Sequence, residues 1–169
     1  MSEAAGRGAP DADYRAGVSR LYQGEVWGEG FFSALLAGRP PEQAYAVSLL
    51  LQIESEAKVR LRPLLWRHGL SLVEDEAGRA AGIAAAARFR GLPWPEAMRE
   101  LAALVHPYIS RYAALAARAP PEDRPAVEYM VGHEQALYDF ATLAAAGDAA
   151  GALQRARQQL EYPLSLIHI

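Results

Sequence analysis

The chain contains no cysteine. That excludes disulfides, thiolate metal sites and cysteine nucleophiles. It has one lysine (Lys58), one threonine, eight valines and five isoleucines. β-Branched side chains fill strands, so their scarcity argues against a sheet-based fold. Basic charge is also short: 17 Lys and Arg stand against 20 Asp and Glu, with a net charge of −3 and a pI near 5.8. That balance argues against binding nucleic acid through a basic surface. No apolar run approaches the ~20 residues of a membrane span. The first residues, MSEAAGRGAP, hold no apolar signal core. These absences lead to the expectation of a cytoplasmic protein with neither a membrane nor a nucleic-acid partner.

Alanine is abundant instead, at 35 of 169 residues, and hydrophobic residues make up 51% of the chain against 22% charged. Alanine is the strongest helix former, and the balance is that of a globular chain. Residues 1–11 are small, polar and rich in Gly and Pro, and are expected to form a disordered arm. Residues 164–169, Leu-Ser-Leu-Ile-His-Ile, read as the translation of a common sequencing adaptor, so His168 is set aside. Residues 12–163 are left as one helical bundle domain.

Breakers divide that domain. Gly38–Pro41, His68-Gly69, Gly91–Pro95, Ala119–Pro121 and Gly147-Asp148 carry the Gly and Pro signals of helix ends and starts. Helices are predicted over about 12–37, 41–67, 72–90, 95–118 and 125–146, with a short one over 149–160. The third is expected to start at a capping box, Ser71 to Glu74. Pro63 and Pro107 fall inside long helices and are expected to kink them. Long segments with short loops and one apolar side read as an all-α antiparallel four-helix bundle, two helical hairpins joined by a helical crossover.

Charge belongs on the wet face of a helix, yet three carboxylates sit within apolar stripes. Glu25 lies between Tyr22 and Phe32, Glu54 four after Leu50, and Glu134 between Val131 and Leu137. An unpaired buried carboxylate costs several kcal/mol, so three such positions call for a shared cation or a shared proton network. Their heights also agree. Residues equidistant from a hairpin turn lie opposite each other. Glu25 and Glu54 are equidistant from the Gly38–Pro41 breaker, and His106 and Glu134 from Pro120.

This arrangement resembles the ferritin-like superfamily, in which two helical hairpins hold two metal ions, usually iron, in mid-bundle. The family pattern is a Glu from each of two helices and a Glu-x-x-His from each of the other two. Glu25 matches the lone Glu of the first helix. Glu54 and Glu134 match the Glu of the two motifs, and His106 stands where the third helix carries Glu. The motif histidines are replaced by Ala57 and Leu137. His133 adjoins Glu134 but is turned about 100° from it on the helix. The resemblance implies a ferritin-like metal-binding protein, a di-iron or manganese oxidoreductase acting on a small-molecule substrate. Glu25, Glu54 and Glu134, with His106 or His133, would hold iron or manganese.

Each residue also has an ordinary alternative. Glu54 precedes Lys58 by one helical turn, the spacing of a simple ion pair. His106 and His133 suit hydrogen-bonded boundary positions, His68 a helix cap, and Glu29 a subunit or solvent boundary. The alternative function is a metal-free helical bundle acting in structure or interaction. Trp27 and Phe31 form a second apolar stripe, expected to pack on the crossover or on another subunit in a homodimer or larger assembly.

Overall fold

The computed structural model describes residues 12–162. The expected arm at 1–11 and the adaptor-like segment 164–169 lie outside them. The described residues form six helices and no strand: α1 (Ala12–Leu36), α2 (Pro41–Arg67), α3 (Glu76–Arg90), α4 (Trp94–Ala117), α5 (Arg124–Ala145) and α6 (Ala149–Gln159). Gly38, Gly69 and Gly147, which follow α1, α2 and α5, adopt positive φ of 76°, 61° and 86°. This is the left-handed conformation that ends a helix and that glycine takes without steric cost. Pro63 and Pro107 sit inside unbroken helical stretches. Among the described residues no helix is long and apolar enough to cross a membrane.

α1 and α2 form one hairpin, and α4 and α5 the other. α3 lies along α1, and α6 packs on α5 and α2. The start of α3 differs from the sequence expectation. Its N-cap is Asp75, which accepts from the Ala77 amide, and residues 71–74 are not helical. Tertiary bonds hold that stretch open. The Leu72 and Val73 carbonyls accept from Tyr22 and Gln23, and Glu74 is bonded to Lys58 and Arg79.

The α1–α3 contact uses glycines where backbones nearly touch. A Cβ on Gly82 would stand 2.1 Å from the Trp27 carbonyl oxygen, and one on Gly30 2.5 Å from that of Arg79. This close approach puts Phe31 edge-on against Phe89 of α3 at 4.9 Å. Phe31 is fully buried within the single chain. The crossover therefore covers the Phe31 part of the second stripe of α1, one of the two partners expected for it, while Trp27 stays half-buried.

At the far end of the bundle Asp123 is wholly buried before α5. It accepts from the Tyr14 hydroxyl at 3.0 Å, faces His68 Nε2 at 2.5 Å, and pairs with Arg67. His68 does end α2, but its side chain serves this cluster, which ties α1 and α2 to the α4–α5 turn. Removing one partner of a buried ionic cluster strands the others. Asp123→Ala should cost ~3 kcal/mol and lower the melting temperature by roughly 6–12 °C. Circular dichroism of thermal unfolding reads this directly, and an unchanged curve would deny the cluster its role.

The buried apolar side chains fall into two clusters, and the division comes at one height on every long helix. One holds Phe31 to Leu35, Ala46 to Ile53, Ala97 to Val105 and Leu137 to Ala144. The other holds Tyr14 to Val26, Ala57 to Leu65, Tyr112 to Ala116 and Val127 to Met130. A polar layer separates them, and the candidate residues occupy it.

Candidate metal centre

Each long helix contributes to this layer. α1 supplies Glu25, α2 supplies Glu54, α5 supplies His133 and Glu134, and α4 supplies Tyr112. All five are buried, with Glu25 and His133 at 1% and 0% exposure. Glycine on α1 makes the room. A Cβ on Gly28 would lie 1.9 Å from Glu54 Oε2, so that carboxylate fills space any other residue would take. The Tyr112 hydroxyl similarly stands 3.2 Å from where a Gly24 Cβ would be.

His133 Nε2 is 3.3 Å from Glu25 Oε2 and 3.5 Å from Glu54 Oε1. These three residues place donor atoms within 4.8 Å of one another. Glu25 Oε2 and both ring nitrogens of His133 are buried without a hydrogen-bond partner. Buried polar atoms are nearly always satisfied, so orphans converging on one point are informative. Two ligands of one first-row ion, each about 2.1 Å from it at 90° to tetrahedral angles, stand about 3.0–3.4 Å apart. The spacing seen here is close to the edge of such a coordination polyhedron. A set of carboxylates with one imidazole suits iron or manganese. The outer nitrogen, Nδ1, lacks the second-shell acceptor that often orients a ligand histidine, so packing alone holds the ring.

Electrostatics in the layer follow from burial. Desolvation raises Glu25 well above the ordinary carboxyl range, with Glu54 and Glu134 adding repulsion against the relief from His133. Glu134 is pushed up to about 7, first by desolvation, then by Glu54, with His133 and a hydrogen bond from Tyr112 opposing. Burial works against the His133 cation, but Glu25 and Glu54 outweigh it and raise the group to about 10. Burial beside three carboxylates also raises the Tyr112 hydroxyl. In the absence of a metal, the layer limits its charge by keeping protons.

The equidistance of Glu25 and Glu54 from the first hairpin turn does bring them together. Glu134 arrives at the same height. His106 does not join them: it is exposed and tilts against Tyr138, with ring centroids 5.2 Å apart. Its side chain faces away from the layer. His133 is the histidine that stands beside Glu25 and Glu54. Glu54 makes no pair with Lys58, whose Nζ bonds Glu29 and Glu74 at 2.6 Å each. Glu29 is not at a subunit or solvent boundary either. It is buried among Ser55, Lys58 and Arg79. Sequence reasoning missed Tyr112, though it sits on the apolar stripe of α4, seven residues after Val105 and four before Ala116.

A cavity of about 790 Å³ opens between α1 and α4 and reaches the carboxylates of Glu25, Glu54 and Glu134. In comparisons with known proteins, no family model matches the chain, and no curated protein or solved structure does.

Proposed function

We propose that Glu25, Glu54 and His133, with Glu134 beside them, hold a divalent first-row ion, iron or manganese, and that the chain is a ferritin-like, metal-dependent oxidoreductase. One observation carries this reading: three buried donor atoms from three helices converge at ligand spacing, and two of them have no hydrogen bond to satisfy them. The two hairpins with a helical crossover support the ferritin-like part, with the histidine arriving from position 133 in place of the motif position. Such an ion, when bound, would supply oxidation chemistry beside the cavity that Glu25, Glu54 and Glu134 line. The chain does the rest. Glu134, pushed up to about 7 by burial when no ion is bound, borders the cavity and is placed to hold or release a proton there. The Tyr112 hydroxyl orients that carboxyl.

The rival reading is a metal-free bundle, and the high pKa of His133 favours it. A protonated imidazole between Glu25 and Glu54 is an internal countercharge that makes a cation unnecessary. Elemental analysis of protein purified without chelator decides between the two. Near-stoichiometric iron or manganese is expected, and traces alone would overturn the oxidoreductase reading.

A second test comes from the glycine that cradles Glu54. Alanine at position 28 gains helix propensity by about 1 kcal/mol, which offsets much of the crowding. Glu54 must nevertheless leave its place. Gly28→Ala is therefore expected to weaken metal affinity by about 10–100-fold while the protein stays folded. Equilibrium dialysis against metal, alongside a melting curve, separates the two effects.

A further inference from the structure

The cavity between α1 and α4 is polarised along its length. At the end near the start of α1, Arg20 on α1 and Arg111 on α4 line it from opposite walls. Neither has a carboxylate partner among the described residues; Arg111 lies over the Tyr108 ring. Arg118 and Asp13 line the cavity at the same end. At the other end the walls are Trp27, Phe31, Phe32, Leu101 and Leu104. Between the ends lie Glu25, Glu54 and Glu134. From Arg20 to Phe32 the α1 axis rises ~18 Å.

The chemistry of the two ends selects the occupant. Arginines without acid partners favour an anion and repel a cation. Apolar walls reject a polar body, since its groups would lose their water without replacement. A long slot between two helices suits an elongated molecule. We propose that the cavity takes a long-chain alkyl carboxylate, its head between Arg20 and Arg111 and its chain running past Glu25 and Glu134 to Phe32 and Leu101. Glu25 lies five residues beyond Arg20, ~7.5 Å along the helix, so the polar layer faces the chain a few carbons from the head. This assignment rests on the oxidoreductase reading in one respect only, that the segment facing Glu25 is the part transformed.

Binding is tested by calorimetry with decanoate, decan-1-ol and decyltrimethylammonium below their micelle concentrations. Both the protein as purified and chelator-treated protein are used. Decanoate is expected to fill a single saturable site, about tenfold more tightly than the alcohol, and the ammonium to bind more weakly still. Arg20→Gln with Arg111→Gln should erase the preference for the acid. Both side chains are exposed, so the fold survives. Leu104→Trp, which shortens the apolar end, should weaken decanoate more than hexanoate. Equal binding of acid and alcohol, a preference surviving in the double variant, or decanoate binding untouched by Leu104→Trp would each overturn the assignment. Because chelated protein is included, a failure of metal uptake leaves these outcomes readable, and a failure of decanoate binding leaves the metal analysis untouched.

Discussion

Addition of iron(II) or manganese(II) to chelator-treated protein is expected to raise its melting temperature by roughly 5–10 °C at about 100 times the dissociation constant. The magnitude follows from mass action: a ligand that binds only the folded state at that excess contributes ~2.7 kcal/mol, and each kcal/mol moves a domain of this size by about 2–4 °C. Glu54→Ala, Glu25→Ala and His133→Ala should each abolish the gain, because each removes one of the three converging donors. His106→Ala and Glu56→Ala should leave it intact. His106 is exposed against Tyr138, and Glu56 is occupied by the backbone amides of Glu161 and Tyr162. Differential scanning fluorimetry in anaerobic buffer reads all five variants. A wild-type curve that does not move would refute the metal centre.

Without metal, the protein should lose stability as pH rises from 5 to 9. Glu134 has a folded pKa of about 7 against an ordinary 4.5, so folding favours its neutral form. The stability this carries is fully present below 4.5 and is lost as pH rises through 7, about 3 kcal/mol in all. Glu25 is displaced in the same direction by burial. His133 has the same sign: raised from 6.5 to about 10, it stabilises fully below 6.5 and loses that contribution as pH rises through 10. Glu134→Gln should flatten the fall between pH 4.5 and 7. Metal should reverse the trend, because ligation needs deprotonated carboxylates and a neutral imidazole, so the thermal gain grows with pH. Melting curves of chelated and metal-loaded protein across this range test both statements. A chelated protein growing more stable towards pH 9 would contradict the proton-sharing layer.

Much of the site was legible because its signal is local. A carboxylate inside an apolar stripe is visible from spacing alone, and hairpin symmetry sets its height. That places Glu25, Glu54 and Glu134 without coordinates. Symmetry specifies height but not direction around the helix, which is why His106 was a reasonable candidate and yet faces outward. His133 was harder to rank. On a helix covered along one stripe, positions 133 and 134 cannot both be central. α5 is covered by α4, α2 and α6, and its buried arc takes in Met130, His133, Glu134, Ala136 and Leu137. The role of Lys58 was equally hidden, since its partners Glu29 and Glu74 lie on other elements.

The helical class, most helix ends and the three carboxylates of the polar layer follow from local features of the chain. Helix propensity, glycine and proline breakers and the period of apolar residues act within a few residues of each other. Which histidine enters the layer, where α3 begins and what covers Phe31 follow from long-range packing. Each of these depends on groups brought together from distant parts of the chain. The carbonyls of 72 and 73 meet α1 side chains, Gly82 lets α3 settle on α1, and α6 closes a face of α5 that the α5 sequence leaves open. A residue's partners are set by the packing of whole helices, and local periodicity carries no information about which neighbour arrives.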